Sequence, residues 1–200
     1  MANQTNTKCL IGEVRMNWPR VFEPESFNGG EPKYNVTLTF PKTDKELYKK
    51  IQTAIEECAE KAKATMFGGK LPKSFELPNI KDGDEDFDGE GYPGQWVIKA
   101  SSKYKPEVVK KMKVAGQSQF VQITDPDEFY GGCYGYASVT FRAYALDVNK
   151  GISCQLDNLL KTRDGERFGA GSATAASDFA GVDIPDYENE DENENDNEVF

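Results

Sequence analysis

The chain has 200 residues, with 24 Lys and Arg against 34 Asp and Glu, no His, and a formal net charge of −10. Without His, Ser-His-Asp and Cys-His nucleophiles are excluded, and apolar runs of only a few residues exclude a transmembrane helix. Residues from Phe168 onward hold ten acids and no base, which leaves 24 bases and 24 acids in residues 1–167.

Met1–Thr7 is polar and lacks the apolar middle of a signal peptide, so the cytoplasm is the expected compartment. Lys8–Trp18 reads as a strand with Leu10, Val14 and Met16 on one face and Glu13, Arg15 and Asn17 on the other; Pro19 ends it. After the turn Gly29-Gly30-Glu31-Pro32, Lys33–Phe40 alternates cleanly: Tyr34, Val36, Leu38 and Phe40 inward, Lys33, Asn35, Thr37 and Thr39 outward. Thr43 as N-cap and Glu46 three residues on form a capping box. They open a helix to about Met66 with Leu47, Ile51, Ala54, Ile55, Cys58 and Ala62 on one stripe, stopped by Gly68-Gly69.

Leu71–Pro93 reads as an acidic, Pro- and Gly-punctuated excursion. Its segment Lys81–Gly91 holds six acids and one base, so the remaining body is mildly basic, with 23 bases and 18 acids. Strands follow at Gln95–Ser101, around Lys113–Ile123, at Tyr134–Leu146 and, after the turn Asp147–Lys150, at Gly151–Leu160. Several short strands with one amphipathic helix inserted predict a mainly β fold, a small closed antiparallel barrel. The expected organisation is a binding domain over 1–167, a Gly/Ala/Ser-rich linker over 168–182 and an acidic tail over 183–200. The tail carries nine acids and no base and stops on Val199-Phe200. It is expected to be disordered and to offer a ring and negative charge together to a basic, apolar-floored pocket.

Alternation on the strongest strand carries the main clue to function. With Val139, Phe141, Ala143 and Ala145 inward, Tyr134, Tyr136, Ser138, Thr140, Arg142 and Tyr144 point outward. Three tyrosines and an arginine suit a platform on which unpaired bases stack while the guanidinium meets phosphate. The same parity adds Arg15, Lys33 and Lys99, and the loop Ser101–Pro106 adds Lys103, Tyr104 and Lys105. The competing role for each ring is packing under a loop or against a second subunit, and a homodimer is compatible with the exposed aromatics.

Other chemistry is thinly supported. Asp84, Asp86, Asp88 and Gly89 match the first half of a calcium loop, but the twelfth place is Gln95 and the flanks are not helical. Cys9, Cys58, Cys133 and Cys154 lack paired spacing and read as small buried hydrophobes, so no metal and no cofactor are expected. A carboxylate-metal nuclease would need its acids on rigid elements rather than in the 82–90 loop, and the chain is read as a non-enzyme.

Gly30–Val36, Ser138–Tyr144 and Asn149–Ile152 running on to Lys161–Glu166 resemble a bacteriophage family of single-stranded-DNA-binding proteins, over roughly residues 8–170. The tail resembles those of replication-type single-stranded-DNA-binding proteins. The resemblance implies an oligonucleotide/oligosaccharide-binding (OB) barrel, sequence-tolerant binding of single strands in phage replication and recombination, and residence in the infected host's cytosol. It also implies that Asp191, Glu192, Glu194, Asp196, Glu198, Val199 and Phe200 dock on a polymerase, helicase or recombinase. The rival expectation is an acidic DNA mimic or replisome adaptor that binds proteins only.

Overall fold

The computed structural model describes residues 6–26, 29–78, 80–89, 91–147, 149–168 and Gly181. The chain divides into two compact units, Met1–Phe168 and Gly169–Phe200. The second unit, which holds almost all of the expected linker and the whole tail, lies outside the described residues apart from Gly181.

In the first unit the elements run β1 (Asn6–Glu25), β2 (Lys33–Pro41), α1 (Lys45–Thr65), β3 (Phe75–Glu76), β4 (Lys81–Asp82), β5 (Gln95–Ser102), β6 (Glu107–Val114), β7 (Gln117–Gln122), β8 (Tyr134–Ala145) and β9 (Lys150–Arg163). The sheet order is β4-β5-β2-β1-β8-β9-β6-β7, and a parallel contact of β5 with β9 at Ser101 and Gln155 closes the circle. Five strands, β1-β2-β5-β9-β8, therefore form a closed barrel of OB type, which removes the exposed edges an open sheet would present.

One long strand serves two neighbours. The first half of β1 pairs with β8 from Asn6 to Arg15, and its second half pairs with β2 from Arg15 to Glu25. A register shift between Ile11 and Val14 lets it bend around the barrel. The shift also reverses the alternation: Cys9 and Ile11 are buried before it, and Val14 and Met16 after it. Leu10, expected inward, is therefore 52% exposed.

The core is built from Ile11, Met16, Leu38, Phe40, Ile98, Val139, Phe141 and Leu156. Helix α1 buries Leu47, Ile51, Ala54, Ile55, Cys58 and Ala62, the stripe the spacing predicts, and packs on β1, β8 and β9. Its cap is Asp44 rather than Thr43: the Asp44 Oδ1 accepts from the Leu47 amide at 2.9 Å, and a carboxylate at a helix N-terminus also meets the positive end of the dipole. All four cysteines are buried thiols. Burial pushes the Cys133 thiol up to about 11 and raises those of Cys9, Cys58 and Cys154, so they stay protonated and unreactive.

The strand expected around Lys113–Ile123 is a hairpin, β6 and β7, turning at Ala115-Gly116 with φ of 49° and 81°. Two successive positive φ values are what a tight twisted hairpin requires.

Candidate nucleic-acid interface

On β8 the burial alternates as the sequence predicts as far as Phe141: Ala137, Val139 and Phe141 are fully buried, while Tyr134, Tyr136, Ser138 and Thr140 are half-buried and Arg142 is exposed on the outer face; beyond it Ala143 is half-buried and Ala145, expected inward, is exposed. The outer face is not uniform along its length. Tyr134 sits opposite Arg15 of β1 and Arg163 of β9. Tyr136 lies flat over Gly12, where an added Cβ would come within 2.5 Å of its ring. Mid-strand, Thr140 donates to Asp157 at 2.6 Å, placing a carboxylate in the stripe. Tyr144 is half-buried, its hydroxyl end against Gly151, where β3 adds Glu76.

The Tyr134 end gathers cations and rings. The Arg15 guanidinium lies 4.0 Å from the centroid of Phe168 and 5.9 Å from that of Tyr134. Its Nη2 donates to the Glu166 carbonyl at 2.7 Å, which fixes its reach. Arg163 stacks at 3.5 Å on Tyr134. Phe168 also stacks on Trp18, centroids 5.9 Å apart and planes 23° apart. Trp18 is 54% exposed, and its Nε1 donates to the Tyr92 hydroxyl at 3.0 Å. Tyr92 in turn stacks on Phe87 at 4.7 Å, with the Lys99 ammonium 5.5 Å from the Phe87 ring. A groove of about 450 Å³ opens beside this chain of rings, lined by Glu13, Arg15, Thr39, Pro93, Gln95 and Tyr134.

The acidic excursion forms one wall of that groove. Strand β4 pairs with β5, and the segment returns to it through Tyr92. Thr37, Thr39 and Asn17, expected to face solvent, are buried, with Thr39 beside Pro93 in the groove. Asn17 Nδ2 donates to Thr39 Oγ1 at 3.2 Å, whereas Asn17 Oδ1 has no partner among the described residues. Three aspartates of the excursion are committed to its own geometry. Lys42 bridges Asp82 and Asp84, the latter at 2.5 Å. The Asp84 Oδ1 accepts from the Gly94 amide at 2.8 Å, and Asp86 accepts from the Asp82 amide at 3.0 Å. The Lys42 hydrogen bonds hold both the Asp82 and Asp84 carboxyls below the usual range. These bonds occupy Asp84 and Asp86, two of the three aspartates in the calcium-loop pattern, and among the described residues no group of three or more His, Cys, Asp or Glu is arranged to hold a metal ion.

The remaining candidates lie along the same outer face. Register places Thr39 of β2 beside Arg15, Thr37 beside Lys99 of β5, and Lys33 beside Glu25. From Thr39 to Lys33 is about 20 Å of strand. At that far end Lys103 pairs with Glu31, Lys105 is exposed, and Tyr104 is 78% exposed. The structure thus brings Arg15, Tyr134 and Lys99 into one band ending at Lys33, Lys103, Tyr104 and Lys105. It leaves Arg142 and Tyr144 outside the band. Sequence reasoning missed Trp18, Phe87, Tyr92, Arg163 and Phe168, which come from separate segments and share no local period. The signal available was compositional: aromatics inside an otherwise acidic loop.

The family model described as Enterobacter phage Enc34, ssDNA-binding protein, matches residues 7–195. The chain belongs to this family. The resemblance carried by Gly30–Val36, Ser138–Tyr144 and Asn149–Ile152 is thereby established. Among solved structures, the single-stranded DNA-binding protein from bacteriophage Enc34 in complex with ssDNA is 30% identical with a TM-score of 0.63, over 82% of this chain and 90% of that one. The p50 protein of Acyrthosiphon pisum secondary endosymbiont phage 1 is 29% identical over 188 residues, 90% of this chain and 97% of that protein. The single-stranded DNA binding protein gp2.5 of bacteriophage T7 shares the fold, with a TM-score of 0.52 at 14% identity over 92% of this chain and 99% of that one. Family membership agrees with the five-strand barrel.

Proposed function

We propose that this protein binds single-stranded DNA with little sequence preference, laying the strand along the outer face of β1, β2, β5 and β8. The observation that carries this reading is Arg15 held between the rings of Tyr134 and Phe168 at the mouth of a groove. Exposed rings accept any base, because every base has a π face, and neighbouring guanidinium and ammonium groups meet the phosphates. Membership of a phage ssDNA-binding family supports the same reading. Arg15, Tyr134, Arg163 and Lys99 form the first contacts, and Lys33, Lys103, Tyr104 and Lys105 continue the path.

In this reading the protein protects unwound strands during phage DNA replication and recombination. The acidic run Asp183–Phe200 recruits a polymerase, helicase or recombinase, and competes with DNA for the cationic face while the protein is unloaded. The charge distribution supports that competition: nine acids and no base in the run, against a body with 24 of each.

A gel shift with a labelled single-stranded oligonucleotide, against a duplex competitor, tests the reading. Retention of the single strand in preference to the duplex is expected, tighter at low salt after removal of residues 183–200, because exposed charges are screened beyond about 10 Å at 0.1 M salt. No shift in dilute buffer, with the acidic run removed, sinks the proposal and leaves the protein-only adaptor.

A further inference from the structure

The β6–β7 hairpin does more than complete the sheet. Strand β6 pairs with β9 only from Glu107 to Lys110, opposite Asn158 to Lys161. From Lys111 onward it pairs with β7 alone, and every residue from 111 to 120 is exposed. A two-stranded ribbon without a covered face is marginal by itself in water. This one nonetheless keeps Phe120 65% exposed, and between Val108 and Thr124 it holds three Lys and no acid in a chain of net charge −10.

Register orders those residues. Lys111 faces Phe120 across the ribbon, and Lys113 faces Ser118, so both lysines and the ring share one face. Among the described residues neither lysine has an ion-pair partner, whereas Lys110, on the opposite face, pairs with Glu128. The same register ties this face to the barrel. Leu160 pairs with Tyr136 on one side and with Val109 on the other. Alternation then carries Val109 to Lys111 and Lys113. The ring-and-lysine face of the ribbon is therefore continuous with the outer face that carries Tyr134 and Tyr136: β6, with the lysines, lies two strand spacings from β8, about 10 Å, and β7, with Phe120, three, about 14 Å.

We infer that the β6–β7 ribbon is a second contact site for the single strand, in which Phe120 stacks on a base and Lys111 and Lys113 meet the flanking phosphates. The inference rests on the single-strand reading above and extends it beyond the barrel. A polyanion is the occupant this face fits, since its charge is uncompensated and its one large apolar group is a flat ring rather than an aliphatic patch. The opposite face, with Met112 and Val114, is the one a second copy of the chain would cover.

The test compares two oligothymidines, one of about 8 nucleotides, within the roughly 4–16 that one OB barrel covers, and one of about 30, well beyond it. Binding is measured by calorimetry with the full chain, with Phe120→Ala, and with Lys111→Ala/Lys113→Ala. On the long strand Phe120→Ala is expected to lose about tenfold in affinity. The double lysine variant is expected to flatten the salt slope by about 1.4, at roughly 0.7 per phosphate. On the short strand both variants match the parent. If the parent ignores both lengths, the single-strand reading falls and this inference with it. If the parent binds both and the variants match it on the long strand, or lose equally on both lengths, only the ribbon's role is overturned. It is likewise overturned if the differences vanish once residues 183–200 are removed, which makes the acidic run the occupant. A change in mass by light scattering overturns it in favour of a second copy.

Discussion

At the Tyr134 end of β8 the outward ring has Arg15 and Arg163 beside it and an open groove in front. At the Tyr144 end, roughly 34 Å further along the strand, the outward ring is wedged against Gly151 beside Glu76, and Asp157 sits in the stripe between. Both ends obey the same alternation on the same strand. What separates them is the neighbouring strands, which bring cations to one end and carboxylates towards the other. Alternation decides which way a side chain faces, and strand pairing decides what it faces with.

The sharpest way to break this contrast is to remove the ring at each end in turn. Tyr134→Ala is expected to cost about 1–3 kcal/mol of single-strand affinity, measured by calorimetry on a short oligothymidine. An unchanged affinity with the fold intact would make Tyr134 a packing residue. Gly12→Ala acts on the wall of the same end, where the new Cβ meets the Tyr136 ring at 2.5 Å. Its expected cost is about 1–3 kcal/mol of stability in urea denaturation, as for other overpacked sites; no loss would mean the ring moves freely aside. Arg163→Ala is expected to lower the salt slope of binding by about 0.7, whereas Arg142→Ala leaves it unchanged. Equal slopes in the two variants would erase the distinction between the ends. Tyr144→Ala is expected to change affinity by less than about 0.5 kcal/mol, the range of surface substitutions away from special features.

The smallest effect concerns the excursion that walls the groove. Lys42 depresses the Asp82 and Asp84 carboxyls, so their contribution is present above the ordinary aspartate range and is lost only as pH falls through their lowered values. Carboxyl titration by NMR is expected to place both midpoints below 3.8, and Lys42→Met returns them towards it. Ordinary midpoints in the parent chain would show that the clamp is open in solution.

Much of the barrel was legible because one face of each strand must leave water, and the period of two on β8 and on Lys33–Phe40 records that demand directly. Leu10 was misplaced because the register shift between Ile11 and Val14 has no sequence signature beyond Gly12 itself. Thr37, Thr39 and Asn17 face outward as their parity requires, yet all three are buried, Thr39 beside Pro93 from a segment more than fifty residues further on. Parity cannot report a cover that arrives from elsewhere in the chain. The site was half legible for the same reason. Arg15, Lys99 and Tyr134 sit on alternating strands, whereas Trp18, Tyr92 and Phe168 meet only through tertiary contact. The helix cap slipped by one residue because Thr43 and Asp44 both carry a suitable oxygen, and backbone geometry chose between them.

The bond from the Trp18 indole to Tyr92 has a practical corollary. The chain contains two tryptophans, and the other, Trp96, packs against Tyr48 at 4.7 Å on the far side of the sheet. Intrinsic emission from Trp18 is therefore an unlabelled optical gauge of the groove: a base stacking on that ring quenches it, while Trp96 supplies a steady background against which occupancy is read.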